Sequence, residues 1–139
     1  ALPLIRCPLI LSATERADPR PRYFGRARPL GWPDTPTLTV TTRTDLCQGL
    51  TLIPTPGHTP GHLSVLLDLP QSGPVILAAD ALNRASEPDE DYADAEDPAT
   101  ARQSGDLLLG LARDTGARLI YGHDPAQWSL LPKAPFFWD

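Results

Sequence analysis

Three histidines and an aspartate stand at positions where they could share a metal site. His58 and His62 lie within the stretch LIPTPGHTPGH. Asp80 follows the apolar run VILAA, and His123 follows the run RLIY. Imidazole and carboxylate groups are good ligands for zinc, iron or manganese, and an aspartate can bridge two such ions. Because paired ions are suited to hydrolysis, these residue types point to a metal-dependent hydrolase.

The spacing of His58 and His62 does not place them on one face of a helix. Pro60 separates them, and Gly57 and Gly61 flank them. A proline inside a helix costs about 3 kcal/mol and each glycine about 1 kcal/mol. The stretch is therefore predicted to be a loop between two strands, in which one histidine can bind metal while the other has a supporting or structural role. Taken alone, two structural histidines in a turn are an equally good interpretation.

Asp80 and His123 also have structural alternatives. Asp80 could be a turn or N-cap aspartate, and His123 could be a buried, hydrogen-bonded histidine. What favours a site is that His58, Asp80 and His123 each come just beyond a predicted strand. Residues at strand ends can meet on one rim of a sheet, where sites often lie.

The elements that position these residues are predicted from patterning and caps. A helix is predicted after Asp97 as N-cap and Pro98 at its first turn, and it ends before Gly116. VILAAD forms a hairpin with the strand before it, across the turn PQSGP. Predicted strands cover 8–13, 37–42, 50–55, 62–69, 75–80 and 117–123. This order predicts an α/β fold, with a mixed, mostly antiparallel sheet and a helix on one face.

Two segments are predicted to be irregular. Residues 19–36 are rich in proline, and residues 84–97 form an acidic loop, predicted to be a solvated lid or connector. The arginines near the start are interleaved with prolines, which favours a solvated loop over a nucleic-acid surface. No apolar run approaches the length that crosses a membrane. Two cysteines without a metal-binding spacing are typical of reduced thiols, so we expect a cytoplasmic protein.

The whole pattern resembles the metallo-β-lactamase superfamily, and within it the N-acyl homoserine lactonase group. TPGHTPGH, the aspartate after VILAA and the strand-terminal GHD follow the order of that family's motifs. CPLILSATE and GHDPAQWSLLPKAP are similar to further segments of the lactonase group. The resemblance extends over nearly the whole chain.

The resemblance implies a role for each candidate residue. His58 would be a ligand of a first metal ion, Asp80 would bridge both ions, and His123 would be a ligand of the second. His62 is not expected to be a ligand. The family uses two divalent ions, for which we expect zinc, with iron or manganese as alternatives. Its lactonases open the lactone ring of N-acyl homoserine lactones by attack of a metal-bound hydroxide, which is quorum quenching.

One motif of the family is missing from this sequence. The family's H-x-H-x-D-H motif would precede PLIL, yet His58 is the first histidine here. We therefore expect residues 1–139 to form a single partial domain, the C-terminal half of an αββα sandwich. On this hypothesis the isolated chain binds metal weakly and is inactive. It would associate with a missing N-terminal half or form a homo-oligomer.

Substrate preference is the second open point. Some lactonases carry a tyrosine three residues after the bridging aspartate, where this chain has Asn83. Asn83 could donate a hydrogen bond to the substrate, and Tyr92 is a possible substitute for the missing tyrosine. A glyoxalase II-like ester or thioester hydrolase is therefore an alternative to a lactonase. A non-catalytic fragment that binds no metal is another.

Overall fold

The computed structural model describes residues 7–22, 27, 31–32 and 34–139. A small parallel pair is formed by β1 (Leu9–Ser12) and β2 (Thr37–Val40), and α1 (Ala13–Ala17) follows β1 directly. Ser12 caps α1 by accepting a hydrogen bond from the backbone N–H of Glu15 at 2.9 Å. The strand expected here is confirmed.

The main sheet has five strands in the order of the chain. They are β3 (Thr44–Cys47), β4 (Leu50–Pro54), β5 (Leu63–Leu69), β6 (Gly73–Ala79) and β7 (Arg118–Tyr121). Neighbouring strands are antiparallel except β6 and β7, which are parallel. The sheet is thus mixed and mostly antiparallel, as predicted, and the predicted β5–β6 hairpin is confirmed.

Helix α2 (Pro98–Thr115) connects β6 to β7 and begins and ends where its caps predict. The Asp97 side chain accepts hydrogen bonds from the hydroxyl group of Thr100 and from the N–H groups of Thr100 and Ala99, and these bonds lower the pKa of its carboxyl group. Gly116 adopts the left-handed conformation (φ 69°) just past the last turn, which a glycine does at little cost.

The core lies between α2 and one face of the main sheet. Ile53, Ile76 and Ala78 of the sheet are buried there with Ala101 and Leu108 of the helix. Because side chains alternate along a strand, the opposite face carries a second apolar set. It comprises Leu52, Val65, Leu67, Leu77 and Ile120. Within the part of the chain that the structure describes, no helix is long and apolar enough to cross a membrane.

Three elements differ from the sequence expectation. Strand β2 pairs with β1 and not with the main sheet. Strand β3 was missed because T-D-L-C carries no clear alternation of buried residues; in the structure all four of its residues are at least partly exposed. Helix α3 (Pro125–Leu130) was also missed, although Asp124 caps it through the N–H groups of Ala126 and Gln127.

Candidate metal centre

The segment between β4 and β5 is a chain of turns, as its prolines and glycines predict. The N–H of Thr55 donates to the carbonyl of His62 at 2.9 Å and closes the loop at its base. The N–H of Gly57 donates to the carbonyl of Thr59 at 3.0 Å. His58 and His62 therefore do not share a helix face, and their rings meet edge to face with centroids 6.0 Å apart.

Two glycines let helices approach this loop from both sides. A Cβ on Gly57 would lie 2.3 Å from the backbone nitrogen of Ala101 in α2. A Cβ on Gly61 would lie 2.1 Å from the hydroxyl oxygen of Ser12. The N–H of Gly61 also donates to Oε2 of Glu15 at 2.9 Å. The glycines thus fix the loop between α1 and α2, and with it the position of the histidines.

Asp80 lies between two imidazoles, and each carboxylate oxygen faces a different one. Oδ2 is 3.6 Å from Nε2 of His58, and Oδ1 is 2.9 Å from Nε2 of His123. The Asp80 side chain is partly exposed and that of His123 largely so, which excludes the alternative of a buried structural histidine at position 123. The structure therefore brings all three predicted ligands together on one rim of the sheet.

The ends of β6 and β7 are held close enough for this contact. A Cβ on Gly122 would lie 2.3 Å from the carbonyl oxygen of Ala79, so only glycine permits the approach. The N–H of Gly122 donates to the carbonyl of Leu82 at 3.0 Å, and the N–H of His123 donates to that of Asn83 at 2.8 Å. These two bonds link the segment after β7 to the segment after β6.

His62 contacts the backbone of Asp80 and not its carboxylate. Its Nε2 accepts a hydrogen bond from the N–H of Asp80 at 3.1 Å, and its Nδ1 lies 2.8 Å from the hydroxyl oxygen of Thr55. Burial lowers the pKa of His62 to about 4, although the Asp80 charge acts in the opposite direction. The ring is thus neutral at pH 7, in the supporting position that the sequence predicts.

The environment of His58 favours its neutral form, the one that binds metal. Burial lowers the pKa of His58, and the nearby Arg22 guanidinium adds to this, whereas Asp80 raises it. Arg22 donates through Nη1 to the carbonyls of His58 and Asp94, both at 3.0 Å. The Arg22 side chain therefore links the loop between β4 and β5, called the histidine loop below, to the acidic loop.

A cavity of about 750 Å³ opens over the three predicted ligands. Asn83 also lines it, and its own N–H donates to Oε2 of Glu87 at 3.2 Å. Tyr92 is not among the lining residues, because its ring is 1% exposed and packs against Gly105 of α2. Tyr92 therefore does not replace the substrate-binding tyrosine, a possibility that the sequence left open.

The acidic loop is more ordered than a solvated connector. A short 3-10 helix covers Glu87–Glu90, and Glu87 itself is buried beneath Asn83. Glu90 pairs with Arg84 at 3.0 Å, and Asp91 pairs with Arg102 at 2.5 Å. Several of the loop's acids thus serve the structure of the loop.

His58, Asp80 and His123 meet the needs of a metal ion only in part. The chemistry fits, because two imidazoles and a carboxylate are ordinary ligands of divalent zinc. Among the described residues, however, no three His, Cys, Asp or Glu side chains form a group that would hold an ion by itself. The geometry suits two ion positions that share Asp80. His58 lies at one of them and His123 at the other.

The sequence of the chain matches a known protein superfamily. A sequence model described as the metallo-beta-lactamase superfamily matches residues 3–123. The chain belongs to the metallo-beta-lactamase superfamily. The matched range includes His58, Asp80 and His123.

Curated relatives in the superfamily are N-acyl homoserine lactonases. One from Azorhizobium caulinodans, named AttM, is 39% identical over 92 residues, which is 65% of this chain and 35% of the relative. One from Bacillus thuringiensis is 33% identical over 84 residues, covering 60% of this chain and 34% of the relative. The chain therefore spans about a third of the length of the curated relatives it matches.

Solved superfamily structures share the fold. An N-acyl homoserine lactone hydrolase with the product N-hexanoyl-L-homoserine at its catalytic metal center matches with a TM-score of 0.79 at 24% identity. The match covers 95% of this chain and 52% of that one. The dizinc quorum-quenching lactonase AidC matches with a TM-score of 0.55 at 25% identity, over 74% of this chain and 37% of that one.

Sequence reasoning missed the groups that hold the ligands in place. Thr55 contacts His62 and Ser64, and Glu15 accepts a hydrogen bond from the N–H of Gly61. Ser64 gives the clearest signal, because a serine within the apolar strand β5 is expected to need a hydrogen-bond partner.

Proposed function

We propose that this chain supplies part of the two-metal site of an N-acyl homoserine lactonase. The observation that carries the proposal is the placement of Asp80, whose two oxygens face His58 and His123 separately. A carboxylate whose two oxygens face different imidazoles can serve two ions, one through each oxygen, and paired ions are suited to hydrolysis. The lactonase names of the superfamily relatives support the substrate class.

Each residue has a defined part in the proposed site. His58 binds at one cation position, His123 binds at the other, and Asp80 serves both. Zinc is the proposed metal, which is in line with the dizinc description of AidC. A pair of divalent cations there would polarise the lactone carbonyl and lower the pKa of water.

The chain's own residues shape the rest of the reaction. The neutral state of His58 keeps its ring nitrogen available as a ligand. Asn83 lines the cavity beside Asp80, and its side-chain amide is proposed to donate a hydrogen bond to the substrate. The volume of about 750 Å³ is ample for a small acylated lactone.

The site as proposed needs further ligands. Zinc in catalytic sites has three protein ligands, whereas each position here has one imidazole and a share of Asp80. We propose that the others come from a segment carrying H-x-H-x-D-H, and that residues 1–139 act as a partial domain in association with it. A cytoplasmic location, and the absence of nucleic-acid or membrane partners, belong to the same proposal.

The test combines the 139-residue chain with a separately expressed superfamily segment that carries H-x-H-x-D-H. With zinc added, ring opening of N-hexanoyl homoserine lactone is followed by mass spectrometry. We expect turnover that falls at least about 100-fold in Asp80→Asn, because the bridge between the ions is lost. The chain without the second segment should be inactive.

Asp45→Asn is the matched control, since Asp45 lies on β3 and bonds only to the exposed Thr51 in the described chain. It should leave turnover unchanged. Absence of ring opening in the zinc-loaded combination, or equal activity of Asp80→Asn, contradicts the proposal. Hydrolysis of a thioester such as S-lactoylglutathione without lactone opening would favour the glyoxalase II-like alternative.

A further inference from the structure

A line of hydrogen bonds runs from the backbone of Asp80 through the interior to the end of β6. The N–H of Asp80 donates to Nε2 of His62 at 3.1 Å, and Nδ1 of His62 is 2.8 Å from the hydroxyl oxygen of Thr55. That oxygen is 2.8 Å from the hydroxyl oxygen of Ser64, which donates to the carbonyl of Ala78 at 2.9 Å. Thr55 and Ser64 are fully buried.

The two ends of this line fix the position of every proton in it. At one end a backbone N–H can only donate, so Nε2 of His62 must be the unprotonated acceptor. At the other end a carbonyl can only accept, so Ser64 uses its single proton on Ala78. Thr55 must then donate to Ser64, and His62 must donate from Nδ1 to Thr55. The ring is therefore held as the neutral Nδ1–H tautomer.

The line spans a strained point in the chain. Its ends are Ala78 and Asp80, and the residue between them, Ala79, has a φ of +49°. Residues other than glycine adopt this left-handed conformation at a cost in free energy. The pairing between β6 and β7 also shifts in register between Leu77 and Ala79. The line of hydrogen bonds thus holds the backbone on both sides of the bend at Ala79, which turns Asp80 toward the rim of the sheet.

We propose that His62 is a positioning residue that sets the Asp80 carboxylate between His58 and His123. It acts through the Asp80 backbone, and Thr55 and Ser64 set its tautomer. The proposal deepens the proposed function and rests on it for its consequence on metal binding. The His62 ring would not itself contact the metal.

The hydrogen-bond line is tested first in the metal-free 139-residue chain. Long-range ¹H–¹⁵N spectra of the imidazoles should report His62 as the Nδ1–H tautomer, and the Asp80 amide should be protected from hydrogen exchange. An Nε2–H tautomer, or an Asp80 amide that exchanges as fast as an exposed one, overturns the proposal. Both measurements use the unsubstituted chain and do not depend on a variant that folds.

The consequence is tested with a pair of substitutions. His62→Gln keeps an acceptor for the Asp80 N–H, whereas His62→Leu removes it. In the combination with the H-x-H-x-D-H segment, we expect His62→Leu to weaken zinc binding by about 10- to 100-fold and His62→Gln by only about 3-fold. Thr55→Val, which leaves His62 in place but frees its tautomer, should be intermediate. Melting temperatures compared in the absence of metal separate this effect from a loss of folding.

Asp80→Asn is the reference that separates the two proposals. If it weakens zinc binding but neither His62→Leu nor Thr55→Val does, the positioning role is wrong and the metal site stands. If Asp80→Asn leaves zinc binding unchanged, the proposed function is wrong. The spectra of the metal-free chain then still decide whether His62 holds the Asp80 backbone.

Discussion

At the scale of single residues, the site depends on which histidine faces which part of Asp80. His58 and His123 face the carboxylate oxygens, whereas His62 accepts a hydrogen bond from the backbone N–H. The T-P-G-H context that they share does not distinguish His58 from His62, and only the family resemblance assigns the metal to His58. The structure distinguishes them, because only His62 accepts a hydrogen bond from the backbone N–H of Asp80, just past the end of β6.

The lowered pKa of His62 predicts how stability depends on pH. The unfolded imidazole takes a proton near pH 6.5, but the folded one does so only near pH 4. Between these values the unfolded state binds more protons, so stability rises with pH through this window. The wild-type chain without metal should lose up to about 3 kcal/mol through His62 as pH falls from about 6.5 to 4.

Urea denaturation of the metal-free chain at a series of pH values measures this loss. His62→Gln is the matched variant, because glutamine retains an acceptor but does not titrate. The difference in unfolding free energy between the two chains isolates His62 from His58, whose pKa is also lowered. Parallel pH profiles for wild type and variant would contradict the assignment.

At the scale of elements, glycines decide how closely helices and strands approach the site. Gly57 meets α2, Gly61 meets α1, and Gly122 meets the end of β6. Each stands next to a candidate ligand or to its supporting histidine. These glycines, which the sequence alone suggests are turn residues, thus set the distances between elements.

Substitution of two glycines should have opposite effects on stability. Gly57→Ala places a Cβ against the backbone of Ala101 at a φ of +129°, so it should destabilise the fold by about 2 kcal/mol or more. Gly110→Ala lies in α2 with only the end of Arg113 nearby, at 3.8 Å, and should stabilise by about 0.5–1 kcal/mol. Thermal and urea unfolding of both variants check the signs, and a neutral Gly57→Ala would contradict the close docking of α2.

The elements that the sequence predicted are those with strong local signals. Helix α2 has an N-cap aspartate, a proline in its first turn and a glycine after its end, and all three act as expected. Strand β3 and helix α3 have weak signals, since one is half polar and the other only six residues long. The pairing of β2 with β1 could not be predicted, because β-branched alternation identifies a strand but not its partner.

The proximity of the three candidate ligands could be predicted for a similar reason. His58, Asp80 and His123 each follow a recognisable strand, so their convergence follows from the order of the strands. Thr55 directly follows β4, Ser64 lies in β5 and Glu15 lies in α1, so they meet the histidines only through tertiary contacts. A serine in an apolar strand indicates that a hydrogen-bond partner is needed, but it does not identify that partner.

At the scale of the whole molecule, the main sheet is apolar on both faces. One face is covered by α2, and the other carries the set that includes Val65, Leu67 and Leu77. Leu77 is 37% exposed although it lies in the middle of β6. Exposed apolar area of this kind favours association.

The isolated chain is therefore expected to self-associate through this face. Light scattering after size-exclusion chromatography measures the mass. Leu77→Lys should shift the distribution toward monomer, whereas Leu107→Lys, on an exposed position of α2, should leave it unchanged. A wild-type chain that is strictly monomeric at high concentration would contradict this expectation.

The most direct test of the central claim is to locate the metal. Crystals of the chain combined with an H-x-H-x-D-H segment, grown with zinc, would be measured at the zinc absorption edge. We expect two anomalous peaks, one on each side of the Asp80 carboxylate. One peak should lie about 2.0–2.1 Å from Nε2 of His58, and the other at the same distance from Nε2 of His123. A map with no peak at Asp80, or with zinc bound by His62 in place of His58, would contradict the central claim.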